Sequence, residues 1–235
     1  MFGMRVLSIL AVISALVLAW LCFLLISMAF DKPQPWTPVK IEAQESALTK
    51  GDADKGQLIA SQVCAVCHSP DGNSIIPANP ILAGQHAKYI TKQLNDYKAE
   101  GDNPAKRNSP IMAAMVVPLS SSDMINLGAY YTTQVSNPRA AKDKELADLG
   151  ENFYRGGNIE SGVPACASCH SPNGVGIPPL YPRLAGQHAE YTVAQLRAFR
   201  TEQRANDVNN VMRDIVTHMS EKEMQAVAEF ISGLQ

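Results

Sequence analysis

Charge is sparse in this sequence and nearly balanced: Lys and Arg number 20 against 22 Asp and Glu in 235 residues, for a net charge of −2. A nucleic-acid-binding surface requires a clustered basic face, so no nucleic-acid partner is expected. The small imbalance is unevenly spread. Residues 49–142 hold nine basic and seven acidic side chains, and residues 143–235 hold eight and twelve. That asymmetry can orient the molecule toward charged partners, although two ordinary solvated surfaces explain it equally well. Strand signals are missing too. No segment alternates apolar and polar residues, which leaves an all-α fold class as the expectation. Cysteine is scarce, at five residues, and its placement carries most of the chemistry.

One stretch lacks charge altogether. Residues 6–30 form an uncharged run of 25, and about 20 apolar residues suffice to cross a bilayer as a helix. A cleaved signal peptide competes, with Ser27-Met28-Ala29 as a passable cleavage site, but its apolar region would be only about 7–15 residues long. Residues 1–30 are therefore expected to be a retained single-pass anchor, with Cys22 a plain membrane-facing residue. Arg5, the only charge before the span, favours a cytoplasmic N-terminus. Residues 31–48 follow as a tether carrying Pro33, Pro35 and Pro38, stiff and extended at about 3.1 Å per residue. Trp36 falls where an interfacial aromatic would sit.

The remainder contains a duplication. A shift of 102 lays Cys64 on Cys166, Leu82-Ala83-Gly84-Gln85-His86-Ala87 on Leu184-Ala185-Gly186-Gln187-His188-Ala189, and Tyr89, Gln93 and Leu94 on Tyr191, Gln195 and Leu196. Toward the end of each copy a shift of 100 serves better, pairing Met112 with Met212, Ser120 with Ser220 and Met124 with Met224. Two tandem domains are expected, 49–137 and 138–235. In the first, a helix should run from about Asp54 into the cysteine motif, a second should begin near His86 with Ile90, Leu94 and Tyr97 on one face, and a third should start at the capping box Ser120-x-x-Asp123. The second copy repeats that box as Ser220-x-x-Glu223. Domains this small gain from a large apolar cofactor that serves as core.

Cys64-Ala65-Val66-Cys67-His68 and Cys166-Ala167-Ser168-Cys169-His170 are Cys-x-x-Cys-His motifs, the attachment signature of c-type haem. Two intervening residues set the sulfurs about one helical turn apart, matching two vinyl groups on one porphyrin edge. The adjacent histidine then lies beneath the iron. A zinc site would want its second ligand pair about 12–20 residues on, whereas these pairs stand about 100 apart. A thioredoxin-type dithiol needs a βαβ context, and a disulfide leaves the repeated histidine unexplained. Two covalent haem c groups, with His68 and His170 on the iron, are the expectation.

The sixth ligand decides between chemistry and electron carriage, since an open iron can bind oxygen or peroxide. The repeat selects Met112 and Met212, each seven residues before the residue that precedes the capping serine, whereas Met115 has no methionine counterpart. His86 and His188 are rival ligands, but at 18 residues past the proximal histidines they are expected near the proximal side. His218, aligned with Pro118, is expected at the surface.

On these motifs, and most specifically on residues 162–200 and their counterpart in the first copy, the chain resembles the dihaem cytochrome c4 family from about residue 50 to its end. The resemblance implies two class I cytochrome c folds related by a pseudo-twofold axis, with haem propionates meeting near the interface and His/Met ligation. It also implies that the carbonyls of Pro80 and Pro182 accept from the proximal histidines, and that electrons pass from a cytochrome bc1-type complex to a terminal oxidase, notably of the cbb3 type. The expected location is the periplasmic face of a bacterial inner membrane. The anchor departs from the many members released as soluble proteins. A fixed haem subunit of an oxidase or dehydrogenase complex, and a dihaem peroxidase, stand as alternatives.

Overall fold

The computed structural model describes residues 51–235, so the anchor and tether expected over residues 1–48, with Cys22 and Trp36, lie outside the described residues. Ten α-helices carry the described chain: α1 Ala53–Ile59, α2 Ala65–His68, α3 Ala87–Tyr97, α4 Pro110–Val116, α5 Ser121–Thr133, α6 Lys144–Gly156, α7 Ala167–His170, α8 Ala189–Arg200, α9 Val211–Thr217 and α10 Glu221–Gly233. Among the described residues there is no strand, only isolated bridges such as Arg107 to Arg204. None of these helices is long and apolar enough to cross a membrane by itself.

Local chemistry starts the helices where the sequence marks them. Asp52 caps α1, its carboxylate accepting from the Asp54 and Lys55 N–H groups at 3.1 and 3.2 Å. Past α1 the chain passes through one π-helical turn, Ala60–Cys64, into α2. The expected run into the cysteine motif is thus present, with a widened turn at its centre. Both capping boxes close: Ser120 Oγ accepts from Asp123 N at 3.1 Å while Asp123 bonds back at 2.9 Å, and Ser220 and Glu223 do the same at 3.2 and 2.6 Å.

Each half crosses its first helix over its last at a glycine. A Cβ on Gly56 of α1 would lie 2.1 Å from Asn126 O of α5, and one on Gly150 of α6 would lie 1.9 Å from Ala226 O of α10. Such backbone contact requires glycine at both crossings. The cores form around these crossings. Ile90, Val116, Met124, Leu127 and Tyr131 pack in the first lobe, and Tyr154, Leu196, Val216, Met224 and Val227 in the second. Tyr154 also packs at a tilt of 50° against Phe230, with ring centroids 5.2 Å apart. The described residues of both lobes belong to one compact unit.

Helices α4 and α9 were not foreseen. Each is seven residues long, too short for a helical period to declare itself. Ser109 caps α4, accepting from Met112 N at 3.3 Å with Pro110 at the first position. The chain enters α9 through Asn209 and Asn210 instead, both at positive φ, a region asparagine tolerates better than most residues.

Candidate haem-binding sites

In both lobes the attachment motif lies at the end of a short helix. His68 is the last residue of α2 and His170 the last of α7, and Ser69 and Ser171 follow at φ 64° and 67°, turning the chain away. Ser74 Oγ and Asn79 Nδ2 both donate to Cys67 O, at 3.1 and 3.0 Å, pinning the end of α2. In the second lobe Tyr154 reaches from the core to donate to Ser171 O at 2.7 Å.

The histidine rings are held in one tautomer. His68 Nδ1 lies 2.9 Å from Pro80 O, and His170 Nδ1 lies 3.0 Å from Pro182 O. A carbonyl only accepts, so Nδ1 carries the proton and Nε2 keeps its lone pair. Both residues are buried. Burial pulls both imidazoles below the ordinary histidine pKa, and the carbonyl bond only partly opposes it, which favours the neutral ring that a metal ligand needs. Pro80 O and Pro182 O are thus the acceptors for the motif histidines.

The donor set fits haem attachment better than its rivals. As free thiols, Cys64 and Cys166 are raised by burial, Cys166 to about 11. That is the reverse of the lowered pKa of a redox-active dithiol. Among the described residues no three His, Cys, Asp or Glu side chains gather as a metal cluster. Cys64, Leu82 and Met112 pack on the core of lobe 1, and Cys166, Leu184 and Met212 on that of lobe 2. Cys64 and Cys166, the first cysteine of each motif, thus share a core with the methionine that the repeat selects. Met115 is 42 % exposed, and Met219 is buried at the position of Leu119 as core. His218 is exposed.

His86 and His188 turn toward the opposite lobe. His86 Nε2 lies 2.8 Å from Val175 O, and His188 Nε2 lies 2.9 Å from Ser74 O. Around them lies an interface that sequence reasoning left without a role. Gln85 bonds both N and O of Arg183, each at 2.9 Å, and Gln187 bonds N and O of Ile81 at 2.9 and 3.1 Å. Two buried arginines complete it. Arg107 donates to Gln93 at 2.6 Å, Tyr191 at 3.0 Å and Gln195 at 2.8 Å. Arg204 donates to Gln195 and to Tyr89 Oη, each at 2.9 Å. The guanidiniums also cover the rings of Tyr97 and Phe199, at 4.7 and 4.4 Å from their centroids. Burial alone would raise the Tyr191 pKa, yet these two cations hold it below the ordinary tyrosine value. The available signal was that Gln85, Tyr89 and Gln93 are identical to their repeat counterparts Gln187, Tyr191 and Gln195.

The family model for cytochrome c matches residues 53–151 and 160–235. Cytochrome c4 of Thiocapsa roseopersicina is 45% identical over 193 residues, covering 81% of this chain and 97% of that protein. The crystal structure of reduced recombinant cytochrome c4 from Pseudomonas stutzeri superposes with a TM-score of 0.73 at 40% identity, over 79% of this chain and 100% of that one. A protein of Stutzerimonas stutzeri described as a thiosulfate dehydrogenase electron acceptor is 34% identical, over 83% of this chain and 90% of that one. The chain belongs to the cytochrome c family. Within that family it is a dihaem electron carrier of the cytochrome c4 type, with two covalently bound haem c groups.

Proposed function

We propose that His68 with Met112, and His170 with Met212, ligate the two irons, with Cys64, Cys67, Cys166 and Cys169 as the thioether anchors. On this reading the chain carries single electrons from a quinol-oxidising bc1-type complex to a cbb3-type terminal oxidase. It does so from the periplasmic face of a bacterial inner membrane, held there by residues 1–30, with the haem domains at 49–137 and 138–235.

The observation that carries this reading is repeated in both lobes: a buried histidine commits its Nδ1 to a proline carbonyl, and a partly buried methionine packs on the core that also takes the first cysteine of that histidine's motif. Bound haem supplies a one-electron couple. The protein's part is to keep each imidazole deprotonated at Nε2, and Met112 and Met212 would supply a soft thioether as the second protein ligand, leaving no position for an exogenous one. A thioether stabilises reduced iron and favours the relatively high potential that such a position requires. Tethering would hold the carrier at high effective concentration beside complexes in the same membrane.

A second reading is supported by the relative described as a thiosulfate dehydrogenase electron acceptor. In it the donor is a periplasmic dehydrogenase rather than a quinol-oxidising complex. Stopped-flow reduction of the full-length protein by a purified bc1-type complex, followed by its oxidation with a cbb3-type oxidase, distinguishes the two. Fast, saturable electron transfer in both steps is expected. Reduction only by a dehydrogenase would replace the proposed donor.

A further inference from the structure

The carbonyl that holds each proximal histidine belongs to a peptide group whose other end is gripped from the opposite lobe. Pro80 O and Ile81 N–H are the two poles of one amide: the oxygen accepts from His68 Nδ1 at 2.9 Å, and the N–H donates to Gln187 Oε1 at 2.9 Å. The second lobe repeats the arrangement. Pro182 O accepts from His170 Nδ1 at 3.0 Å, and Arg183 N–H donates to Gln85 Oε1 at 2.9 Å. Further hydrogen bonds tie both glutamines in place. Gln187 Nε2 donates to Ile81 O at 3.1 Å and its Oε1 also accepts from His188 N at 3.0 Å. Gln85 does the same with Arg183 O at 2.9 Å and His86 N at 3.0 Å. Both side chains are buried.

A hydrogen bond accepted from an amide N–H polarises that amide and strengthens its oxygen as an acceptor. A stronger acceptor on Nδ1–H makes the imidazole a more basic iron ligand, which favours the oxidised metal. We infer that Gln85 and Gln187 are crossed positioning residues: each sets the ligand strength of the proximal histidine in the other lobe, and with it the reduction potential of the other lobe's haem. The inference rests on the proposed ligation by His68 and His170. Its consequence is that neither potential belongs to one lobe alone.

The test uses the full-length haem-loaded protein with Gln187→Met and Gln85→Met. Methionine approximates the length of glutamine but cannot serve the amide as glutamine does. Site-resolved redox titration by NMR of haem methyl resonances assigned to each lobe reads the two potentials separately. Gln187→Met is expected to shift the lobe 1 equilibrium toward reduction by about two- to threefold, about 20–30 mV at 59 mV per tenfold, and to leave lobe 2 unmoved. Gln85→Met is expected to do the reverse. Gln187→Glu, which keeps an acceptor for Ile81 N–H, should return lobe 1 to its original value or below it. The His68 Hδ1 resonance of the reduced protein should move upfield in Gln187→Met.

A variant that shifts its own lobe, shifts both lobes equally or shifts neither overturns the inference while leaving the ligation reading intact. If Gln187→Met fails to fold, Gln85→Met carries the same comparison. A His68 Hδ1 resonance without the ring-current displacement of a haem ligand in the unmodified protein would overturn the ligation reading and this inference together.

Discussion

Replacing Gly150 by alanine tests whether backbone contact between α6 and α10 fixes the second lobe. The new Cβ would lie 1.9 Å from Ala226 O and 2.4 Å from Ala226 C, and neither atom can rotate away as a side-chain end would. To reach even the 3.0 Å below which real Cβ contacts essentially never fall, the crossing must open by about 1 Å. Overpacking of this kind costs about 1–3 kcal/mol, and a backbone obstacle argues for the upper end. Alanine recovers about 1 kcal/mol of helix propensity. The net expectation is a loss of about 2 kcal/mol, or about 4–8 °C in Tm for a unit of this size. Gly156, in the same helix with nothing within 4 Å of its Cβ, supplies the control, and Gly156→Ala should be neutral or slightly stabilising. Thermal unfolding followed by Soret circular dichroism measures both. Because Tyr154 of α6 bonds Ser171 beside His170, Gly150→Ala should also disturb the visible spectrum of the second haem before the first. Equal Tm values for the two variants would refute the close-crossing argument.

Haem should survive acid-acetone extraction at two per chain, and Cys166→Ala with Cys169→Ala should leave one, in lobe 1, by pyridine haemochrome assay and mass. Met112→Ala should abolish the Met-to-iron charge-transfer band of lobe 1, lower that haem's potential and admit carbon monoxide to the reduced iron. Met115→Ala should do none of these. Hydrogen bonds from Arg197 and Arg200 hold the Glu221 carboxyl at about 2 against an ordinary 4.5. A depressed folded-state pKa adds stability above about pH 4.5 that is lost as pH falls toward 2, so Glu221→Gln should flatten that part of the acid-unfolding curve. Intact mass of the mature protein should include residues 6–30, and a start at Phe30 would overturn the retained anchor.

The helices that carry long, capped, periodic segments were legible before any coordinates. Ser120 and Ser220 announce α5 and α10, and Ile90, Leu94 and Tyr97 announce α3, because capping and burial act over a few residues of contiguous chain. The motif histidines were legible because attachment chemistry fixes their spacing. What stayed hidden was set across the chain. The π-helical turn at Ala60–Cys64 leaves no compositional mark, and α4 and α9 are shorter than the period that would reveal them. Gln85 and Gln187 read as ordinary polar residues at helix entries, since nothing local says that an amide 98 or 106 positions away is their partner. Only their identity in both copies hinted at a shared constraint.

That constraint has the form of a twofold interface written into one chain. In an isologous contact, if residue i of one subunit meets residue j of its mate, j of the first meets i of the second. Here Gln85 meets Arg183 and Gln187 meets Ile81, positions related by the repeat itself, while His86 and His188 each reach a carbonyl of the opposite lobe. Covalent linkage frees the two halves to diverge where a symmetric dimer could not, and they have. Ile81 is buried where its counterpart Arg183 carries a charge, and His188 is buried beside Arg139, with Arg139 Nη1 3.3 Å from its Nδ1, whereas His86 is only half-buried. The hydrogen-bonded frame around the two proximal histidines is therefore matched while its charged surroundings are not. On the proposed ligation, matched frames would give both irons the same ligand set, and unequal surroundings would give their potentials a physical reason to differ.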